Sequence, residues 1–240
     1  MDRQTQFGRR KACEYKLRSS IAVGRPKEIA PRTSLLTLES PPASRVSSPP
    51  GLTEVLSALA TVMPEWTDRW YLFEAQAVHV WGMPRLTADV DVTARLRTED
   101  PSGFIAAMQE AGFDVRLENV AEFVRRTRVV PFVHRGSQIP VDVVLAGPGL
   151  EEEFLERASP VDLGGVTLPV ISPEDLLITK VLAGCPKDLE DVRGVLRERL
   201  LELDLSRVRR ILGLLDRALS RSDLERCFER EVRDASRAKE

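Results

Sequence analysis

The chain has 240 residues, of which 42% are apolar and 30% charged, with a net charge of −2. That supplies a core for one or two soluble domains. No apolar run approaches the ~20 residues of a membrane helix, and no hydrophobic stretch follows the charged N-terminus, so neither a membrane anchor nor a secretory signal is expected.

Charge is unevenly placed. Residues 1–50 carry ten Lys/Arg against four Asp/Glu, a net of +6, which leaves −8 for the remainder. This first segment mixes basic residues with Ser and Pro, ends in SPPASRVSSPP and shows no sustained period, so it reads as a disordered extension. It is either a basic arm for RNA or an extension without function. The acidic body removes the broad basic-surface argument for nucleic acid.

Order is predicted from Leu52, where Leu52, Val55, Leu56 and Leu59 repeat at helical spacing. Trp70–Phe73 then reads as a strand and Ala75–Trp81 as a short helix. The next run, Arg85–Thr93, reads RLTADVDVT. In its strand, Asp89–Leu96, Asp89 and Asp91 project from one face and Val90 and Val92 from the other. Neighbouring carboxylates repel unless something positive lies between them, and a hard divalent cation meets that need. The alternative is an edge strand with a wet acidic face.

Asp100 and Pro101 open a helix whose apolar face is Phe104, Ile105, Met108 and Ala111, with Gly112 ending it. Strands are expected at Phe113–Leu117 and Val129–His134, with a helical turn at Ala121–Arg126. The arginines Arg125, Arg126, Arg128 and Arg135 are either an RNA contact or a solvated face. IPVDVVLA, Ile139–Ala146, is a strand holding one charge, Asp142. A lone carboxylate in a buried strand is costly, so Asp142 belongs near a strand end or opposite a partner. If this strand lies beside the first, three carboxylates converge, and such a set suits two metal ions and phosphoryl displacement.

Gly149–Ala158 reads as a helix and Val166–Ile171 as a strand. The last third is helical. Ser172, Pro173 and Asp175 open a helix, with Asp175 placed to cap backward, and Gly184 and Pro186 close it. Lys187–Leu200 is the next helix. Leu205, Val208, Ile211, Leu212, Leu215 and Leu219 form a stripe on a third, and Ser222 with Glu225 spells a capping box for the last. Lys180 is either a snorkelling stem or a phosphate or base contact. Asp188 fits the dipole of a helix start, which Lys187 does not. Arg85 binds triphosphate or neutralises Asp89. Cys13, Cys185 and Cys227 lack Cys-x-x-Cys spacing and read as reduced thiols in a cytoplasmic protein.

Two blocks resemble the AbiEii-type nucleotidyltransferases, a bacterial branch of the polymerase-β-like superfamily. The first is WYLFEAQAVHVWGMPRLTADVDVTARL, Trp70–Leu96, with Gly82 followed by Arg85, Thr87, Asp89 and Asp91. The second is SPEDLLITKVLAGCPKDLEDVRGVL, Ser172–Leu196, with Lys180, Lys187 and Asp188. The resemblance implies an α+β minimal nucleotidyltransferase fold: a small mixed sheet flanked by helices, with a helical C-terminal lobe. Residues 51–199 would form the core, and residues 200–240 would be helices packed on it. It also implies Asp89, Asp91 and Asp142 as catalytic ligands of Mg²⁺ or Mn²⁺, and Ala75, Arg85, Thr87, Lys180, Lys187 and Asp188 as nucleotide contacts. The expected partners are a nucleoside triphosphate, an RNA acceptor such as a tRNA 3′ end, and a cognate antitoxin in a toxin–antitoxin setting. The chain departs from its relatives at Glu74-Ala75, where they usually have Gly at the turn. A side chain there would intrude on phosphate, which makes an impaired binding or regulatory module the alternative.

Overall fold

A computed structural model of the chain describes residues 50–237 apart from Leu86 and Ala88. Of the disorder expected for residues 1–50, all but Pro50 lies outside the described residues, and Pro50 opens the first described helix. In chain order the elements are α1 (Pro50–Trp66), β1 (Thr67–Phe73), α2 (Glu74–Trp81), β2 (Val90–Leu96), α3 (Ser102–Glu110), β3 (Phe113–Val115) and α4 (Val120–Thr127). There follow β4 (Val129–His134), β5 (Pro140–Leu145), α5 (Leu150–Arg157), β6 (Ser159–Asp162) and β7 (Thr167–Val170). Four helices end the chain: α6 (Pro173–Ala183), α7 (Pro186–Arg199), α8 (Leu205–Ala218) and α9 (Leu224–Arg237). The described residues fall into two compact units, one of residues 50–72 and 88–170, the other of 73–87 and 171–237.

The first unit carries a seven-stranded mixed sheet in the order β3-β4-β5-β2-β1-β7-β6. Strands β2 and β5 run parallel, as do β1 and β7, while β3–β4, β4–β5 and β6–β7 are antiparallel. Parallel neighbours need a crossover, and α3, β3, α4 and β4 supply it between β2 and β5. Strand β2 is central, so Val90, Val92 and Ala94 are buried on one face while Asp91 and Thr93 are buried on the other. Its alternation therefore marks two covered faces, not one wet face. Beneath the sheet, Phe104 meets Trp66 and Phe132 edge-on, and Phe113 meets Phe132.

Strand β6 was not expected. Its sequence SPVD is short, polar and interrupted by Pro160, as suits an edge strand, and it pairs on one side with β7. Strand β3 ends at Val115 rather than Leu117.

In the helical unit, Ser172 caps α6 by accepting the Asp175 N–H at 3.2 Å. Gly184, at φ +67°, closes that helix in the left-handed conformation that glycine favours. Asp175 was placed to cap backward; its carboxylate is held from α8 by Arg207, at 2.8 Å. Every residue of α6 from Glu174 to Leu182 is buried, the pattern of a central helix. The expected Ser222/Glu225 box is replaced: Asp216 of α8 accepts the N–H groups of Leu224 and Glu225 at 3.2 Å each. Arg226 takes the carbonyl and hydroxyl of Ser222. Gly82 lets the end of α2 approach α7, since a Cβ there would stand 2.9 Å from the Val195 nitrogen.

Candidate active site

In the sheet unit, register brings two of the expected acids together. Asp91 of β2 and Asp142 of β5 are direct partners across the parallel pair. Paired residues on neighbouring strands point to the same face, so both carboxylates stand side by side. Both are buried, Asp91 at 5% and Asp142 at 1% exposure. Asp89 lies just before β2, two residues from Asp91, and is half-buried. Asp142 has an ion-pair partner that sequence reasoning missed: the Arg116 guanidinium, reaching in from the end of β3. Nothing local announces this contact, because the two residues are 26 positions apart.

A cleft of about 670 Å³ in the same unit is lined by Arg95, Ile105, Val124, Arg128 and Ala146. It takes in the C-terminal ends of β2 and β5, and none of the three aspartates lines it.

In the helical unit a second acidic group forms. Glu74 opens α2, while Asp188 and Asp191 lie on one face of α7. Their ligand atoms all fall within 4.8 Å of one another, the one such trio among the described residues. It holds a cation of the protein's own. The Lys180 ammonium, its side chain 2% exposed, lies 2.9 Å from Asp188 Oδ1 and 3.0 Å from Asp191 Oδ2, and it pairs with Glu74. Arg85 adds a bidentate contact to Asp191, at 2.9 and 3.2 Å, and comes within 4.0 Å of Glu74. Cys185 donates its thiol to Asp188 at 2.9 Å.

Burial alone would lower the Lys180 pKa. The charges of Glu74, Asp188 and Asp191 outweigh that desolvation and hold it above its ordinary value. The ammonium is therefore fixed as a cation. Glu74 sits at φ +49°, a conformation that favours glycine and that a side chain adopts at a cost. Its carboxylate has turned onto Lys180.

The other expected contacts occupy different surroundings. Lys187 is exposed in the first turn of α7, Thr87 is half-buried beyond Arg85, and Ala75 is buried in the first turn of α2. Asp191 was passed over in the sequence, although its spacing of three from Asp188 places both on one helix face.

Residues 81–226 match a family model described as a nucleotidyltransferase of unknown function, DUF6036. The chain belongs to this nucleotidyltransferase family. The matched span contains the Arg85–Asp91 segment, Asp142, Lys180 and Asp188. No curated protein matches this nucleotidyltransferase. Among solved structures it is similar to an antigenic nucleotidyltransferase-like protein from Paracoccidioides brasiliensis, at 15% identity and a TM-score of 0.47, over 75% of this chain and 91% of that one. It is also similar to the antibiotic-resistance factor ANT(2'')-Ia, at 15% identity and a TM-score of 0.44, over 71% of this chain and 89% of that one. The mixed sheet with flanking helices agrees with the fold class expected from the sequence. No described helix is long and apolar enough to cross a membrane.

Proposed function

We propose that this nucleotidyltransferase moves a nucleoside monophosphate from a nucleoside triphosphate to an acceptor hydroxyl, with pyrophosphate leaving. The reading is carried by the paired register of Asp91 and Asp142 on adjacent parallel strands, in a chain of this family. Asp89, Asp91 and Asp142 offer hard oxygen donors, which suit Mg²⁺ or Mn²⁺. A divalent ion bound there would neutralise phosphate charge and make the acceptor hydroxyl easier to deprotonate. Within the helical unit, taken by itself, Arg85, Thr87 and Lys187 carry donors suited to phosphate oxygens, and Ala75 carries a backbone N–H in the first turn of α2. Asp188 holds Lys180. The protein's own work is positioning and charge stabilisation.

The resemblance to AbiEii-type enzymes supports the finer reading: an RNA acceptor such as a tRNA 3′ end, a toxin role with a cognate antitoxin, and work in the cytoplasm. Incubation with each labelled nucleoside triphosphate, Mg²⁺ and total RNA tests it. Label should enter RNA with one preferred nucleotide. Absence of transfer with all four, at any divalent ion, would refute the reading.

Glu74 favours a second reading, an impaired binding or regulatory module. An ammonium has three N–H donors, and three carboxylates surround that of Lys180. A phosphate oxygen reaches Lys180 only by displacing one of them. Glu74→Gly should therefore raise affinity for a non-hydrolysable triphosphate by about tenfold, on the order of 1.4 kcal/mol, and raise any transfer rate. It also removes backbone strain of about 1 kcal/mol at φ +49°. Isothermal titration of both proteins decides the matter. Equal or weaker binding by the glycine variant would mean that Glu74 is accommodated, and the second reading would fall.

A further inference from the structure

Arg116 stands in one row with the two paired acids. Its N–H donates to the Pro131 carbonyl at 3.0 Å, Pro131 pairs with Asp142, and Asp142 pairs with Asp91. The row thus crosses from the end of β3 over β4 and β5 to β2. Strands lie about 4.8 Å apart, so a side chain from the β3 edge must span two of them to touch Asp142. Arginine is long enough, and its guanidinium pairs with the Asp142 carboxylate. The pair is graded in depth: the Asp142 side chain is 2% exposed and that of Arg116 is 24% exposed. The buried end is the acid; the cation enters from the solvent side.

We propose that Arg116 is the resident counter-ion of Asp142 and that a divalent cation binds the strand acids only in exchange for it. This rests on the metal-dependent reading above and adds a residue that regulates loading of that site. Two adjacent buried carboxylates without a cation would repel each other and pay full desolvation. The Arg116 guanidinium relieves this. Loading then requires the Arg116 side chain to swing outward, while its backbone stays tied to Pro131.

The test is Mn²⁺ binding by the full chain without nucleotide, followed by isothermal titration and by the electron paramagnetic resonance of free Mn²⁺. Arg116→Gln should bind Mn²⁺ at least tenfold more tightly than wild type. Arg116→Lys keeps the charge on a shorter arm and should fall between. Adding Asp142→Asn to Arg116→Gln should abolish the gain. Without metal, Arg116→Gln should melt below wild type, and saturating Mn²⁺ should close the gap. If wild type binds Mn²⁺ and Arg116→Gln binds it equally or more weakly, the exchange is overturned while the metal reading stands. If neither protein binds Mn²⁺, while thermal melting shows both folded, the metal reading itself is overturned and the exchange with it.

Discussion

Asp142→Asn should abolish nucleotide transfer, by about a thousandfold or more in rate, on the order of 4 kcal/mol of barrier. Asparagine keeps the volume of a side chain buried at 1% exposure, so the packing of β5 is preserved. Its amide oxygen still accepts from Arg116, a weaker bond than the charged one. Removing one of two adjacent negative charges partly offsets that loss, so the melting temperature should barely move. What disappears is the charge that a divalent ion needs. Asp91→Asn acts on the partner position of the same register and should behave alike. Asp89→Asn should also abolish transfer, with less effect on stability, because Asp89 lies outside β2 and is half-buried. The measurements are label transfer from nucleoside triphosphate and thermal stabilisation by triphosphate with Mn²⁺. A folded Asp142→Asn protein with near wild-type transfer would remove the metal assignment.

Most elements were legible because local chemistry and tertiary structure agree in them. The β-branched run around Asp91 and the apolar run around Asp142 both became central strands, and Ser172 and Gly184 bound α6 as their side chains dictate. What stayed hidden depends on distant partners. Helix α6 is buried on all sides, so its sequence shows no apolar stripe to read. Strand β6 is a short edge whose pairing with β7 sets its conformation more than its own composition does. In the candidate site, the acids were legible as types at a spacing, but their counter-ions were not. Arg116 lies 26 residues from Asp142, and Glu74 lies 106 residues from Lys180. Lys180 shows the consequence. Read alone, its charge among leucines suggests a stem reaching for water, whereas the fold places three carboxylates around it.

Lys180→Met should destabilise the fold by about 3–5 kcal/mol, because it removes the cation from a buried group of acids. For a folded region of this size that is a fall of roughly 10 °C in melting temperature. Methionine retains an unbranched apolar stem of similar length, so the packing of the buried helix α6 changes little. Glu74, Asp188 and Asp191 would be left with Arg85, which binds Asp191 and only approaches Glu74. The pH dependence separates charge from packing. In the wild type the Lys180 pKa is raised above its ordinary 10.5, so its contribution is fully present at all pH values below that and is lost only as pH rises through the higher folded value. Its share of stability is therefore flat from pH 5 to about 9. In Lys180→Met the uncompensated carboxylates gain by taking up protons, so the deficit should be largest near pH 8 and shrink towards pH 5. Adding Asp191→Asn should recover part of it at pH 8. Chemical denaturation of the wild type and both variants at three pH values gives the comparison. A deficit that stays constant with pH and ignores Asp191→Asn would mean that Lys180 acts through its stem, and the ammonium-centred cluster would lose its structural role.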